Sequence, residues 1–180
     1  MSKQIVLIAC LSVVLNNSVA ESSTSPGISE FDSVSLGYVR DQVQKVWGEP
    51  TEKKSLSKDG SEIWSYKRKV TFGNQILDID KATFFFDPSS GRLRSKNYFP
   101  DENESVYNVK TIQTKYRANF KRYTQPMCGH FQSSDIEYLD SKKGLYVSAT
   151  GKGEVELIGW SLPSNRKPAS QSTDCSKMRI

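Results

Sequence analysis

Histidine is almost missing: the chain has one in 180 residues. That excludes any site built on two or more imidazole ligands. Cysteine is scarce, at three residues, which excludes a Cys-rich zinc module and a disulfide-dense mini-fold. Long apolar runs are lacking except at the extreme N-terminus, which excludes a multispan membrane protein. There is no Gly-rich phosphate loop, no Ser nucleophile elbow and no zinc pattern. What is present is enough to build a core. Leu, Ile, Val and Phe make up 42 of the 180 residues, above the level at which chains stay disordered. The length fits one domain, or one domain with an extension.

Residues 1–20 read MSKQIVLIACLSVVLNNSVA. Lys3 supplies a positive start, Gln4 to Leu15 a mostly apolar stretch, and Ser18-Val19-Ala20 the small residues of a cleavage site. This is the pattern of a secretory signal peptide cut after Ala20. Leu7-Ile8-Ala9-Cys10 also resembles a bacterial lipobox, whose cysteine is acylated. Here Leu11 to Leu15 remain apolar after Cys10, whereas a lipobox cysteine ends the apolar region. Cleavage after Ala20 leaves 160 residues, a net charge of +4 and two cysteines, Cys128 and Cys175. Export to an oxidising compartment predicts a disulfide between them. The expected location is the periplasm or the periplasmic face of the outer membrane.

Residues 21–30 (ESSTSPGISE) have little to bury and read as a linker. Two segments follow. In the first, residues 31–100, Val39, Val43, Val46 and Trp47 recur at helical spacing. Gly48 supplies a left-handed stop and Pro50 cannot continue the helix. A helix of about three turns is too short to stand alone, so it must pack on a sheet. Glu62 to Tyr66 alternates, with Ile63 and Ser65 opposite Trp64 and Tyr66. Gln75 to Phe86 is a second strand, in which Ile76, Asp78, Asp80 and Ala82 oppose Leu77, Ile79 and Lys81. Asp87-Pro88-Ser89-Ser90-Gly91 is a hairpin turn and Arg92 to Phe99 a third strand.

In the second segment, residues 101–163, Ile112, Tyr116, Phe120 and Tyr123 repeat at helical spacing. A helix is expected at least through Arg117, and its continuation is ambiguous with a strand. Strands are expected at Asp135 to Asp140, Leu145 to Thr150 and Glu154 to Leu162. Residues 164–180 read as a polar tail. The class is α+β.

The stretch Gly37-Tyr38-Val39-Arg40-Asp41-Gln42-Val43-Gln44-Lys45-Val46-Trp47-Gly48-Glu49-Pro50 resembles the signature of the SmpA/OmlA (BamE-like) family. The features that match are Gly37, the Gln42-Val43 pair and Gly48-x-Pro50. Trp64 and Tyr66 form the Trp-x-Tyr strand, and a Phe-rich hairpin follows. Val39 stands where the family usually has Thr as a helix cap, and Ser35 is the expected substitute. Glu21 to Glu30 has no counterpart to the family's N-terminal segment. The resemblance covers residues 31–100. It implies a helical layer on a small antiparallel sheet, as in BamE and β-lactamase-inhibitor-like folds, with residues 101–163 as a C-terminal helix plus β-meander extension. It also implies a non-enzymatic scaffold that binds an envelope protein, namely the outer-membrane β-barrel assembly machinery, or that supports envelope integrity. The alternative is a periplasmic interaction or inhibitor module of the same architecture with an unrelated target.

Four features invite function. Trp47, Trp64 and Tyr66 are either an exposed aromatic patch or core, and the apolar helix side favours core. Residues 105–134 carry Lys110, Lys115, Arg117, Lys121 and Arg122 and no acid, interleaved with aromatics. This is either a basic surface for anionic lipid headgroups, an acidic protein face or a cell-wall polymer, or an ordinary solvated face. The export signal disfavours nucleic acid. Cys128-Gly129-His130 invites a thiol nucleophile with a histidine base, yet adjacent residues seldom face one another, and an exported cysteine with one partner is usually bridged. Asp78 and Asp80 share a strand face but gain no third ligand. No catalytic residue, cofactor or metal is implied.

Overall fold

The computed structural model describes residues 26–56, 60–124 and 136–162. The expected signal peptide, Cys10, the cysteines of the expected Cys128–Cys175 bridge, His130 and the tail at 164–180 lie outside the described residues. Within them the order is α1 (Ile28–Ser33), α2 (Arg40–Trp47), β1 (Glu52–Ser55), β2 (Glu62–Phe72), β3 (Gln75–Phe86) and β4 (Leu93–Tyr98). Then come α3 (Val109–Tyr116), β5 (Lys121–Thr124), β6 (Ile136–Asp140), β7 (Leu145–Ala149) and β8 (Val155–Ser161).

The strands form one eight-stranded sheet, ordered β1-β2-β3-β4-β8-β7-β6-β5, and its neighbours pair antiparallel throughout. This corrects the expected helical layer on a small sheet with an appended extension. The helices hold six, eight and eight residues, too few to make a layer, while β2 and β3 reach eleven and twelve. β4 is not a margin. Its outer edge pairs with β8, setting Ser95 opposite Ser161 and Tyr98 opposite Ile158. The two segments therefore share one sheet and one core.

All three helices bury side chains on one face of the sheet. Trp64, Phe84, Lys96, Trp160 and Leu145 stand in register across β2, β3, β4, β8 and β7. The next row is Tyr66, Ala82, Tyr98, Ile158 and Val147. Phe31 and Val34 from the first helix and its C-cap, Val43 and Trp47 from α2, and Ile112 from α3 fill the space above. Trp47 meets Tyr66 at 5.2 Å and Phe84 at 5.4 Å, edge to face. Phe31 meets Tyr98 at 5.3 Å. Trp47, Trp64 and Tyr66 are thus core. On the opposite face the ring of Tyr146 lies across Gly159, where a Cβ would meet it at 2.1 Å, and its hydroxyl bonds Asn97. Glycine is required there because the ring occupies the side-chain position.

The helix ends follow local chemistry. α2 begins without a side-chain cap from Ser35. Instead the Gln42 side-chain oxygen accepts the Val39 N–H at 3.0 Å. Gly48, at φ 74°, closes it as expected. Ile28, Ser29 and Glu30, in the stretch read as a linker, form the first turn of α1. Its start is fixed by the Glu30 carboxylate, which accepts the Gly27 N–H at 2.8 Å. α3 stops at Arg117 in the left-handed region (φ 48°), so Phe120 falls just before β5 and Tyr123 lies within that strand.

One irregularity matters. Between Tyr66 and Lys67 the β2–β3 register slips, pairing Tyr66 with Ala82 but Lys67 with Asp80. Lys81 is the extra residue of a bulge. This corrects the simple alternation read from sequence: Ala82 shares its face with Ile79, not with Asp80.

Candidate functional site

The basic residues of the second segment split in space. Lys110 lies in the first turn of α3. Lys115, Arg117, Lys121 and Arg122 gather near the C-terminal end of that helix and the adjoining edge strand β5. Lys121 pairs with Leu139 and Arg122 with Tyr138 on β6, which brings in the β6–β7 turn at Ser141-Lys142-Lys143-Gly144. Lys143 Nζ donates to the carbonyls of Tyr116 (2.6 Å) and Arg117 (2.8 Å), bonding the turn to the end of α3. A cation there also complements the helix dipole. All of these lysines and arginines are exposed.

The acids near this corner are engaged. Asp140 accepts the backbone N–H groups of Asn119 (2.8 Å), Lys142 and Lys143 (both 3.2 Å). Asp32 pairs with Lys115 at 2.9 Å and accepts the Tyr116 hydroxyl at 2.7 Å. Burial and that carboxylate push the Tyr116 phenol well above its ordinary range. Arg117, Lys121, Arg122 and Lys142 make no ion pair within 4.0 Å among the described residues. Arg117, Lys121, Arg122 and Lys142 are thus exposed cations at one end of the sheet, with Lys121 and Arg122 on opposite faces of the edge strand β5, and cations outnumber acids there, which favours an anionic partner.

The other sequence candidates resolve differently. Gly37, Gln42, Val43, Trp47, Gly48, Pro50, Trp64 and Tyr66 are structural: they shape α2 or fill the core. Tyr66 donates its hydroxyl to the Gly48 carbonyl at 2.9 Å, which fastens the helix stop to the sheet. Asp78 and Asp80 do share a face, but each stands across from a lysine, Lys69 and Lys67. No group of three or more His, Cys, Asp or Glu side chains that could hold a metal exists among the described residues. No described helix is long and apolar enough to cross a membrane.

A cleft of about 380 Å³ lies by the β3–β4 turn, between Leu36, Arg92, Leu93 and Leu162. Its carboxylate, Asp87, accepts from the side-chain and backbone groups of Ser89 and Ser90. Those bonds hold it down to about 2. All four bonds fall on Oδ1, which marks Asp87 as a turn former.

Sequence reasoning did not find Lys142 and Lys143 as part of the basic corner, because about 20 residues separate them from Arg122. It also missed the long projecting β2–β3 hairpin. The signal was Phe72-Gly73-Asn74-Gln75-Ile76, a tight turn flanked by apolar residues. Comparison with models of protein families, with curated proteins and with solved structures gives no match.

Proposed function

We propose that the chain is an exported, non-enzymatic envelope-binding module that meets an acidic face of an envelope protein through its basic corner. The placing of the exposed Arg117, Lys121, Arg122 and Lys142 at one end of the sheet, none in an ion pair within 4.0 Å among the described residues, supports this reading. The resemblance of Gly37 to Pro50 to the SmpA/OmlA pattern suggests the outer-membrane β-barrel assembly machinery as the partner. In-cell crosslinking with membrane fractionation tests it. The expected result is enrichment of barrel-assembly components with the native chain, lost in a Lys121→Glu, Arg122→Glu variant that folds normally. A soluble periplasmic protein crosslinked to a different partner would replace the assembly role with that of an unrelated interaction or inhibitor module. Capture that is indifferent to the double reversal would remove the corner from the account.

A further inference from the structure

Residues 67–80 of the β2–β3 hairpin form an arm beyond the flanking strands, since β4 pairs with β3 only from Ala82 to Phe86 and β1 with β2 only from Glu62 to Ser65. After β4 the chain is fastened to the root of this arm by the turn Asp101-Glu102-Asn103-Glu104. The Glu104 N–H closes the turn by donating to the Asp101 carbonyl at 2.9 Å. Both ends of the turn are anchored inward. Arg68 pairs with Asp101, and Lys81 Nζ reaches Asp101 (3.4 Å) and Glu104 (3.2 Å). The Tyr98 hydroxyl donates to the Glu104 carboxylate at 2.6 Å. Around these anchors Glu102, Asn103 and Ser105 are exposed. Among the described residues no hydrogen bond holds the Asn103 amide or the Ser105 hydroxyl.

Asn103-Glu104-Ser105 is an N-x-S sequence, the acceptor pattern for N-linked glycosylation of exported proteins. The chain holds one other, Asn16-Asn17-Ser18, inside the stretch read as a cleaved signal peptide. We propose that Asn103 is a glycan attachment site, served by an oligosaccharyltransferase that draws on an oligosaccharide linked to a polyisoprenyl diphosphate. The Asn103 side-chain nitrogen attacks the anomeric carbon of the first sugar. A carbon–nitrogen bond forms and the bond from that carbon to the diphosphate oxygen breaks. The lipid diphosphate leaves with the electron pair, and one amide proton passes to a base of the transferase. The three-residue pattern alone is common, and its setting is what selects it. Glu104, the middle residue, is the one held inward, so the acceptor amide and the hydroxyl two residues on are left outward. The turn lies outside every helix and strand, so offering it to an enzyme disturbs a surface loop and leaves the sheet paired. A bulky polar glycan there covers no apolar core. The proposal rests on the export expected from residues 1–20 and not on the basic corner.

Incubating the purified full chain with such a transferase and its polyisoprenyl diphosphate oligosaccharide decides the matter, read by intact-mass and peptide mass spectrometry. The expected product carries a single glycan, on Asn103. The added mass should be lost in Asn103→Gln and in Ser105→Ala and kept in Ser105→Thr. All three variants should melt as the native chain does by circular dichroism, because no hydrogen bond holds either side chain. A synthetic peptide of residues 99–107 carries the same pattern without the fold. The proposal is overturned by an unmodified chain beside a modified peptide, by chain and peptide both left unmodified, or by a glycan that survives Ser105→Ala. Export is read separately, by fractionating cells that express the chain with residues 1–20, so a failure of export is distinct from a failure of the site.

Discussion

The two halves of the molecule share a plan and differ in how they spend it. Each runs from helix into a four-stranded meander, and their last strands, β4 and β8, pair at the centre. In each half a hairpin occupies the same place, β2–β3 in one and β6–β7 in the other. The first has strands of eleven and twelve residues and an apolar tip; the second has strands of five and five and a turn bearing Lys142 and Lys143. The halves also close a helix end with a lysine ammonium in opposite settings. Lys96 reaches the carbonyls of Phe31 and, at 2.6 Å, Val34 from inside the core. Lys143 does the same for α3 from the surface. A repeated scaffold leaves its hairpins and caps free to diverge, so functional candidates are best sought where the halves disagree.

The deepest difference is in the core. Phe31, Trp47, Tyr66 and Phe84 make one aromatic cluster in the first half. The second relies on smaller side chains such as Val147 and Ile158, with rings paired at Tyr116–Trp160 and Phe120–Tyr138. Phe84→Ala should therefore cost about 3–5 kcal/mol. Val147→Ala, losing two methylene equivalents, should cost about 1–2 kcal/mol. Urea denaturation followed by circular dichroism measures both. Each variant should unfold in one transition, because β4 and β8 join the halves. Two transitions in Phe84→Ala, or equal costs at the two sites, would break the comparison.

Much of this plan was legible before the fold. Gly48 and Pro50 bounded α2, Trp64 and Tyr66 declared an inward face, and Asp87 to Gly91 marked a turn. Those signals are local and need no distant partner. What stayed hidden was non-local or lacked contrast. Glu52-Lys53-Lys54-Ser55 has no apolar residue, yet β1 forms because β2 offers it an edge and Lys53 sits over the Trp64 ring at 4.7 Å. Lys67 to Phe72 reads poorly as strand because the arm has no deeply buried face. The β4–β8 pairing, which decides the architecture, joins residues 60 or more positions apart. The five basic residues were visible as a charge run. Their separation into Lys110 and a corner, and the engagement of Lys115 by Asp32, needed the fold.

The lysine caps sharpen the contrast with smaller effects. Burial pushes the Lys96 ammonium down to about 8, against a modest upward pull from Asp32. The unfolded chain keeps that proton up to the ordinary 10.5. Between those values the unfolded state binds more protons, so raising the pH favours the folded state. Comparing native protein with Lys96→Met isolates the group from the tyrosines that titrate higher. From about pH 7 to about pH 9.5 the difference should move toward the native chain by about 2 kcal/mol. A difference that stays flat, or moves the other way, would mean that the ammonium is not desolvated in the core.

Lys143→Met is the surface counterpart, and its effect should be the smaller. Its ammonium gives up little water, and the Tyr116 and Arg117 carbonyls that it leaves can be solvated in its place. A cation at a helix C-terminus typically contributes about 0.3–1 kcal/mol. The change at neutral pH should fall in that range by urea denaturation and shrink in high salt, since an exposed charge is screened. A loss as large as that from Phe84→Ala would show that the β6–β7 turn is held to α3 by more than a solvated cap. The basic corner would then be a rigid platform, set by Lys143 before any partner arrives.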